Sequence, residues 1–272
     1  MKAFNYYGRY TSLPQTIEML LDFEKEFSKD RYNLDSILGF ILKEDMRYMS
    51  TPLDVIPFAN PGADGIHYGF LTDFGRVSNL EQAFIVCVSP MDFDDEVWLV
   101  AKNIKDFLGL VYADDAILYN NFSDINSYLR YIQTKEVDEY ADEFNRQTSY
   151  IKERFKERFA IEPIDDMAQY LSDLMEERKK VIAVPTLNSL GVVQISSAKE
   201  HEKFLFDGEK IDLKTVQQFF KIASLESKLA FIRDAQTKYY FEDAKLRQFI
   251  IKELQALGLA DEAKRLKISF RS

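Results

Sequence analysis

The sequence contains few of the residues that build disulfide frameworks and metal centres. Among its 272 residues there is one cysteine, Cys87, and there are two histidines, His67 and His201. One cysteine cannot form an internal disulfide or a cysteine-cluster metal site, which is typical of a reducing compartment. Because Cys87 lies in an apolar run, we predict a buried and unreactive thiol. His201 stands between two glutamates, so we predict that it is exposed to solvent.

Long apolar segments are also missing. No run approaches the roughly 18 residues that span a bilayer, and the first residues lack the apolar stretch of a secretory signal. We therefore expect a cytoplasmic protein that does not enter a membrane.

The sequence lacks the common catalytic motifs. It has no glycine-rich phosphate loop, no Rossmann glycine triplet and no Gly-x-Ser-x-Gly elbow. These absences favour a protein that is not an enzyme and uses no cofactor. One alternative is a metal-dependent hydrolase in which Asp64, His67 and Asp73 hold a cation. The other interpretation of these residues is that Asp64 forms a turn, His67 lies on a strand and Asp73 caps the next loop.

Basic residues are scarce in the first half of the chain. Residues 1–122 carry 10 Lys and Arg against 19 Asp and Glu, and between Tyr48 and Ala101 one basic residue, Arg76, stands against eight acidic ones. Nucleic acid binding needs clustered Lys and Arg, so we expect no nucleic acid partner for this chain of net charge −10.

The densest acidic residues form a candidate partner-binding site. These residues are Asp92, Asp94, Asp95, Glu96, Asp114 and Asp115. Three interpretations are open: a solvated loop, an acidic contact surface for a basic partner, or carboxylates that perform acid–base chemistry or bind a cation. The run lacks the alternating acidic positions and central glycine of an EF-hand calcium loop.

The apolar residues predict an ordered α+β core. Hydrophobic residues make up 46% of the chain, including 22 Phe and 15 Tyr, which is too apolar for disorder. Their spacing predicts two opening helices and then a series of short strands that includes a hairpin. The run at residues 83–89 has the continuous apolar character of a strand buried on both faces. The predicted strands are 55–58, 66–72, 73–79, 83–89 and 97–101, followed by a helix that Asn103 caps.

From residue 124 onward the pattern becomes mainly helical. Helices are predicted at 137–159, 164–180, 213–220, 225–235 and 241–257, and a β patch at 181–186, 191–197 and 204–211. The fold class predicted is α+β: a twisted, mostly antiparallel sheet with flanking helices, then a largely helical second part with a small β-hairpin patch. The expected domains are residues 1–122 and 123–272.

Part of this pattern resembles a known family. The segments TPLDVIPFANPGADGIHYGFLTDFG (51–75) and AFIVCVSPMDFDDEVWLVAKNIKDFLGL (83–110) are similar to the SUKH superfamily, named partly for fungal cell-wall regulators. The likeness consists of an aromatic-rich segment around Asp64-Gly65, an apolar strand that ends at Ser89-Pro90, and a strand followed by a short helix containing Phe107-Leu108. It covers roughly 60 residues.

The resemblance implies a twisted-sheet α+β domain with no catalytic residues and no cofactor. Many bacterial members are similar to immunity proteins, which neutralise a toxin by binding it. An acidic surface suits this role, since the active-site cleft of a nucleic-acid-cleaving toxin is basic. The alternative is an intracellular regulatory or scaffold protein of the same fold, with the helical half as its interaction surface. The sequence specifies neither the partner nor the oligomeric state.

Overall fold

The computed structural model describes residues 8–27, 32–43, 46–93, 95–113, 125–134, 139–162, 164–198, 200–206, 208 and 210–270. Within these ranges the chain forms an α+β fold around a five-stranded antiparallel sheet, which confirms the predicted fold class. The strands follow one another in sequence order as a meander. They are β1 (Ile41–Leu42), β2 (Val55–Asn60), β3 (His67–Leu71), β4 (Phe84–Val88) and β5 (Val97–Ala101).

Ten α-helices lie within the described ranges, and they dominate the second half as predicted. They are α1 (Gln15–Phe27), α2 (Leu34–Leu38), α3 (Ile104–Ala113), α4 (Ile125–Thr134), α5 (Glu139–Phe159), α6 (Met167–Val181), α7 (Leu213–Ile222), α8 (Leu225–Thr237), α9 (Ala244–Ala256) and α10 (Ala260–Ile268). A two-stranded sheet, β6 (Ile182–Val184) with β7 (Val192–Val193), follows α6. None of the helices in the described ranges is long and apolar enough to cross a membrane.

Alternate residues of the strands line opposite faces of the sheet, as the two-residue repeat of a strand requires. On one face, Ile56, Phe70 and Ile85 belong to a core shared with α1, α2, α3 and α5. On the other face, Val86 and Val88 pack with Leu174 of α6 and with Leu190. The prediction that residues 83–89 form a strand buried on both faces is therefore confirmed.

Aromatic rings from different elements pack against one another in the first core. Phe58 of β2 contacts Phe107 of α3 with ring centroids 5.4 Å apart, and Phe23 of α1 contacts Phe155 of α5 at 5.7 Å. Each fully buried Phe contributes about 1.5–3 kcal/mol relative to an exposed one. The cap predicted for α3 is confirmed, because the Asn103 side chain accepts a hydrogen bond from the Asp106 amide at 2.9 Å.

The predicted domain boundary at residues 122 and 123 falls in the segment 114–124, which lies outside the described residues. The first core takes residues from both sides of that boundary: Phe23 and Phe107 precede it, whereas Tyr128, Ile151 and Phe155 follow it. The division into two domains stays a prediction.

A second core fills the C-terminal half. Leu53 and Phe74, which come from loops beside the sheet, are buried among residues of β6, β7 and helices α7 to α10. Phe231 lies near its centre, with Phe220 at a ring-centroid distance of 5.3 Å. The C-terminal helices therefore pack directly on loops of the five-stranded sheet.

Two predicted β runs are not strands. Residues 73–79 form turns, because Asp73, Phe74 and Gly75 all have positive φ and the Thr72 carbonyl accepts hydrogen bonds from the amides of Gly75 and Val77. That prediction was wrong since positive φ is incompatible with a strand. The described residues of 204–211 contain no strand either. Asp207, half of the predicted Asp-Gly turn there, lies outside the described residues.

Four buried charges join the sheet to the C-terminal half. We call Asp54, Asp73, Arg178 and Arg233 the ionic cluster; each is at most 6% exposed. Arg178 binds Asp73 with two hydrogen bonds of 2.7 and 2.8 Å, and its Nε donates to the Leu190 carbonyl at 2.8 Å.

Arg233 completes the ionic cluster. It donates to Asp54 and to the Gly191 carbonyl and lies 3.7 Å from Asp73. Its guanidinium also lies 5.1 Å from the centre of the Phe74 ring, a cation–π distance. Asp54 precedes β2 and Asp73 follows β3, so the cluster lies at the end of the sheet where β2 begins and β3 ends.

Breaking one pair of the cluster should strongly destabilise the fold. Arg178→Met leaves the Asp73 carboxylate buried without its bidentate partner, so we expect the free energy of unfolding to fall by about 3–5 kcal/mol. Urea unfolding measures this loss. The double variant Arg178→Met/Asp73→Asn should lose less than the sum of its two single variants.

The control for that experiment is Lys105→Met. Lys105 forms an exposed ion pair with Glu162 at 3.5 Å, so the urea midpoint should stay near that of the wild type. Equal effects of Arg178→Met and Lys105→Met would show that the ionic cluster does not hold the two halves together.

Candidate partner-binding site

Three loops meet at the other end of the five-stranded sheet. Residues 61–66 join β2 to β3, and residues 89–96 join β4 to β5. His67 pairs with Val88, which places the two loops side by side. The third loop, residues 46–50, reaches the same end, because the Tyr48 ring stacks on the His67 ring at a centroid distance of 5.8 Å.

The loop between β4 and β5 exposes both apolar and acidic side chains. Phe93 is 73% exposed and Met91 is 63% exposed. Asp92 and Asp95, on either side of Phe93 in the sequence, are exposed as well. Single exposed apolar side chains are common, whereas neighbouring ones rimmed by polar residues mark contact sites. We call Tyr48, Asp64, Met91, Asp92, Phe93 and Asp95 the loop surface.

Backbone hydrogen bonds fix the shape of this loop. The Ser89 amide donates to the Glu96 carbonyl at 2.8 Å and closes the loop at the base of the strands. Inside it, the Asp92 amide donates to Ser89 at 3.2 Å and the Asp95 amide donates to Asp92 at 3.0 Å. Phe93 lies next to these hydrogen bonds, which reduce the backbone entropy that the loop loses on binding.

The six acidic candidates have different environments. Asp92 and Asp95 are exposed, as a contact surface requires. Glu96 is buried, and its carboxylate accepts a hydrogen bond from the Tyr239 hydroxyl. Burial and this hydrogen bond raise the pKa of Tyr239. Asp94, Asp114 and Asp115 lie outside the described residues, so their place in the site stays a prediction.

The loop between β2 and β3 is shaped by close contact with Tyr48. Gly65 has φ of 72°, and a Cβ atom built there would lie 2.9 Å from a Tyr48 ring carbon, so no other residue fits without a shift. The neighbouring Asp64 also has positive φ, at 50°, and is exposed. The predicted turn at Asp64 and Gly65 is therefore present.

His67 is fully buried beneath these loops and joins two of them. Its Nδ1 lies 2.8 Å from the Gly65 carbonyl, which can only accept, so Nδ1 carries the proton. Nε2 is then an acceptor, and the Thr51 hydroxyl donates to it at 3.0 Å. The Thr51 oxygen in turn accepts from the Tyr48 amide at 2.9 Å. Both ring nitrogens are therefore occupied in the neutral form of the histidine.

The predicted cation set is not brought together. His67 begins β3, whereas Asp73 lies beyond the other end of that strand and pairs with Arg178. Strand β3 alone, from His67 to Leu71, spans about 13 Å, and Asp73 lies beyond it, too far for ligands of one ion. Within the described ranges, no group of three or more His, Cys, Asp and Glu side chains has the geometry to hold a metal.

His201 is not the exposed residue that the sequence predicts. Its side chain is only 10% exposed, and Nδ1 lies 2.9 Å from the Ser224 hydroxyl and 3.9 Å from the Glu226 carboxylate. Serine and carboxylate approach the same ring nitrogen, whereas a nucleophilic triad places them on opposite nitrogens. Ser224 also caps α8 by accepting from the Ser227 amide. This group of residues therefore fixes the start of α8.

Cys87 lies in β4 and is fully buried, as predicted. Burial raises the pKa of its thiol well above the ordinary value. Because the thiolate is the reactive form of cysteine, burial makes the Cys87 thiol unreactive.

Two side chains that support the site were missed by sequence reasoning. Gln236 and Tyr239, at the end of α8 and just after it, reach loops of the sheet more than 140 residues away in sequence. Neither residue has a local pattern that indicates such a contact. Gln236 is marked out by its burial, but burial becomes visible only in the tertiary structure.

Comparison of the sequence with family models gives no match, and comparison with curated proteins gives none either. The site is therefore interpreted from its own geometry.

The buried neutral His67 should make stability depend on pH. Burial lowers its pKa to about 4 from the model-peptide value of 6.5, so between these pH values the unfolded state binds more protons than the folded state. Falling pH across this window therefore destabilises the wild type relative to His67→Gln, by about 3 kcal/mol in total at the acid end. The difference between the two proteins should become constant once the pH is well above 6.5, where His67 is neutral in both states.

Urea unfolding at half-unit steps from pH 4 to pH 7.5 tests this expectation. If the free energies of unfolding of the wild type and His67→Gln change in parallel with pH, the folded protein lets His67 take up a proton without loss of its hydrogen bonds.

Proposed function

We propose that this protein binds a basic protein partner through the loop surface and carries out no catalysis. The observation that carries the proposal is the exposed Phe93, held at the tip of a hydrogen-bonded loop between the carboxylates of Asp92 and Asp95. An exposed aromatic anchor with charged neighbours is typical of a protein interface.

The chemistry of the loop surface favours a partner of positive charge. Between Tyr48 and Ala101 the single basic residue is Arg76, and it follows β3 at the opposite end from the loop surface. The nearest preceding arginine, Arg47, turns its guanidinium inward, where it donates to the carbonyls of Thr51 and Pro52. Negative potential at the loop surface would steer a basic partner toward it.

An immunity protein is the specific form of this function that we propose. Its partner would be a toxin with a basic active-site cleft, such as one that cleaves nucleic acid, and the loop surface would occupy that cleft. The resemblance of residues 51–110 to the SUKH superfamily supports this form. The single cysteine supports a cytoplasmic site of action.

A regulatory or scaffold role on the same fold is the second candidate. It is favoured by two side chains on the C-terminal half, Leu205 at 81% exposed and Ile222 at 75% exposed. These apolar groups would serve as contacts on the helical half rather than on the sheet.

Charge reversal on the loop should slow association. The experiment passes a lysate of the source cells over immobilised protein, purifies any basic protein that is retained, and measures its association rate at low and moderate salt. Asp92→Lys/Asp95→Lys should reduce the low-salt association rate by about tenfold or more, because the steering field is reversed. The effect should shrink as salt rises.

The matched control is Glu157→Lys/Glu176→Lys, which changes the net charge equally at exposed positions on α5 and α6. It should associate at nearly the wild-type rate. If the two double variants slow association equally, the effect comes from overall charge and the loop surface is not the interface.

Removal of the aromatic anchor should act on dissociation. Phe93→Ala should raise the dissociation rate of the same complex by about tenfold or more, as expected for an anchor worth over 1 kcal/mol. Leu205→Ala, at a similarly exposed apolar position, is the control and should leave the rate unchanged. The opposite pattern, with Leu205→Ala weakening the complex and Phe93→Ala silent, would favour the scaffold role on the helical half.

A further inference from the structure

The end of α8 contacts two of the three loops that form the candidate site. The Gln236 amide donates to the carbonyls of Met49 and Thr51, both at 2.7 Å. Three residues later, the Tyr239 hydroxyl donates to the buried Glu96 carboxylate. Loop 46–50 and loop 89–96 are therefore both fixed to the C-terminal half.

The third loop is connected to the same support. Thr51, whose carbonyl accepts from Gln236, donates its hydroxyl proton to His67, and His67 donates to the Gly65 carbonyl. The path from Gln236 to loop 61–66 thus runs through buried hydrogen bonds. In low-dielectric surroundings such a chain holds its members in one arrangement, since each broken bond leaves a buried polar group unpaired.

Side chains of residues 233–239 make contacts at both ends of the sheet. Arg233 binds Asp54 in the ionic cluster, Gln236 binds Thr51, and Tyr239 binds Glu96 at the loop end. Residues three apart lie on the same face of a helix, so Arg233 and Gln236 both face the segment that leads into β2. Tyr239 follows directly with φ of 58°, a left-handed conformation that turns the chain after the helix.

We infer that Gln236 and Tyr239 are positioning residues that hold the loop surface in its binding conformation, so that binding by the first half of the chain depends on the second half. This inference rests on the proposed function. Neither residue belongs to the loop surface; each acts through the loop that it supports. Glu96, predicted from the sequence as a binding carboxylate, is on this account the anchor by which Tyr239 holds Asp92, Phe93 and Asp95 in place.

Tyr239→Phe tests the inference with the removal of a single oxygen atom. Tyr240→Phe is the matched control: it is the adjacent residue, undergoes the same change, and loses a hydrogen bond to the Gly208 carbonyl instead. We expect amide hydrogen exchange of residues 89–96 in the free protein to rise by about tenfold in Tyr239→Phe, the factor that corresponds to one hydrogen bond to a charged group. Tyr240→Phe should leave this loop unchanged.

The single tryptophan provides a second local measurement. Trp98 lies on β5 two residues after Glu96, so quenching of its fluorescence by acrylamide reports on the base of the loop. Quenching should increase in Tyr239→Phe and stay at the wild-type level in Tyr240→Phe. Gln236→Met should increase hydrogen exchange in residues 46–51, because it removes both donors to the carbonyls there.

The outcomes separate the inference from the function on which it rests. Faster exchange in the loop together with weaker retention of the basic protein captured by the wild type supports the inference. Unchanged exchange in both loops overturns it, whatever Asp92→Lys/Asp95→Lys and Phe93→Ala show about the loop surface. Faster exchange in the loop without weaker retention of the basic protein also overturns the inference. The proposed function itself is rejected only if Asp92→Lys/Asp95→Lys and Phe93→Ala also leave binding unchanged.

Discussion

Two buried aspartate–arginine pairs hold the sheet and the C-terminal helices in one arrangement. The cost of removing four charges from water is offset in part, because Arg178 binds Asp73 with two nitrogens, Arg233 binds Asp54, and both guanidiniums also bind backbone carbonyls. Hydrophobic contact alone is not directional. The ionic cluster binds α6 to Asp73 and α8 to Asp54, two defined positions at one end of the sheet.

The same part of the chain also makes contacts at the far end of the sheet. Gln236, near the end of α8, binds the Thr51 carbonyl, and Tyr239, just after the helix, binds the Glu96 carboxylate. Rigid, buried contacts therefore surround a small group of exposed residues, Met91 to Phe93 with Asp95. An interface that is ordered before binding loses less entropy in the complex, which favours tight association.

Sequence reasoning succeeded where local pattern determines structure. Strands β2 to β5, the capped helix α3 and the buried Cys87 follow from apolar periodicity and from residues such as Asn103. It failed for residues 73–79, because the β-like composition there gives no sign that Asp73 will pair with Arg178 and adopt positive φ. His201 was misplaced for the same reason, since its contact with Ser224 depends on the packing of α8.

The sequence by itself determined the α+β class, the acidity of the first half and the presence of an acidic run with Phe93 in it. Only the tertiary structure decided which of those acids face solvent, since Glu96 is turned inward by Tyr239, 143 residues away. It also separated His67 from Asp73 by placing them at opposite ends of β3. The physical reason is that composition and the spacing of apolar residues determine local structure. Charges and hydrogen-bonding groups meet their partners only after folding has brought distant segments together.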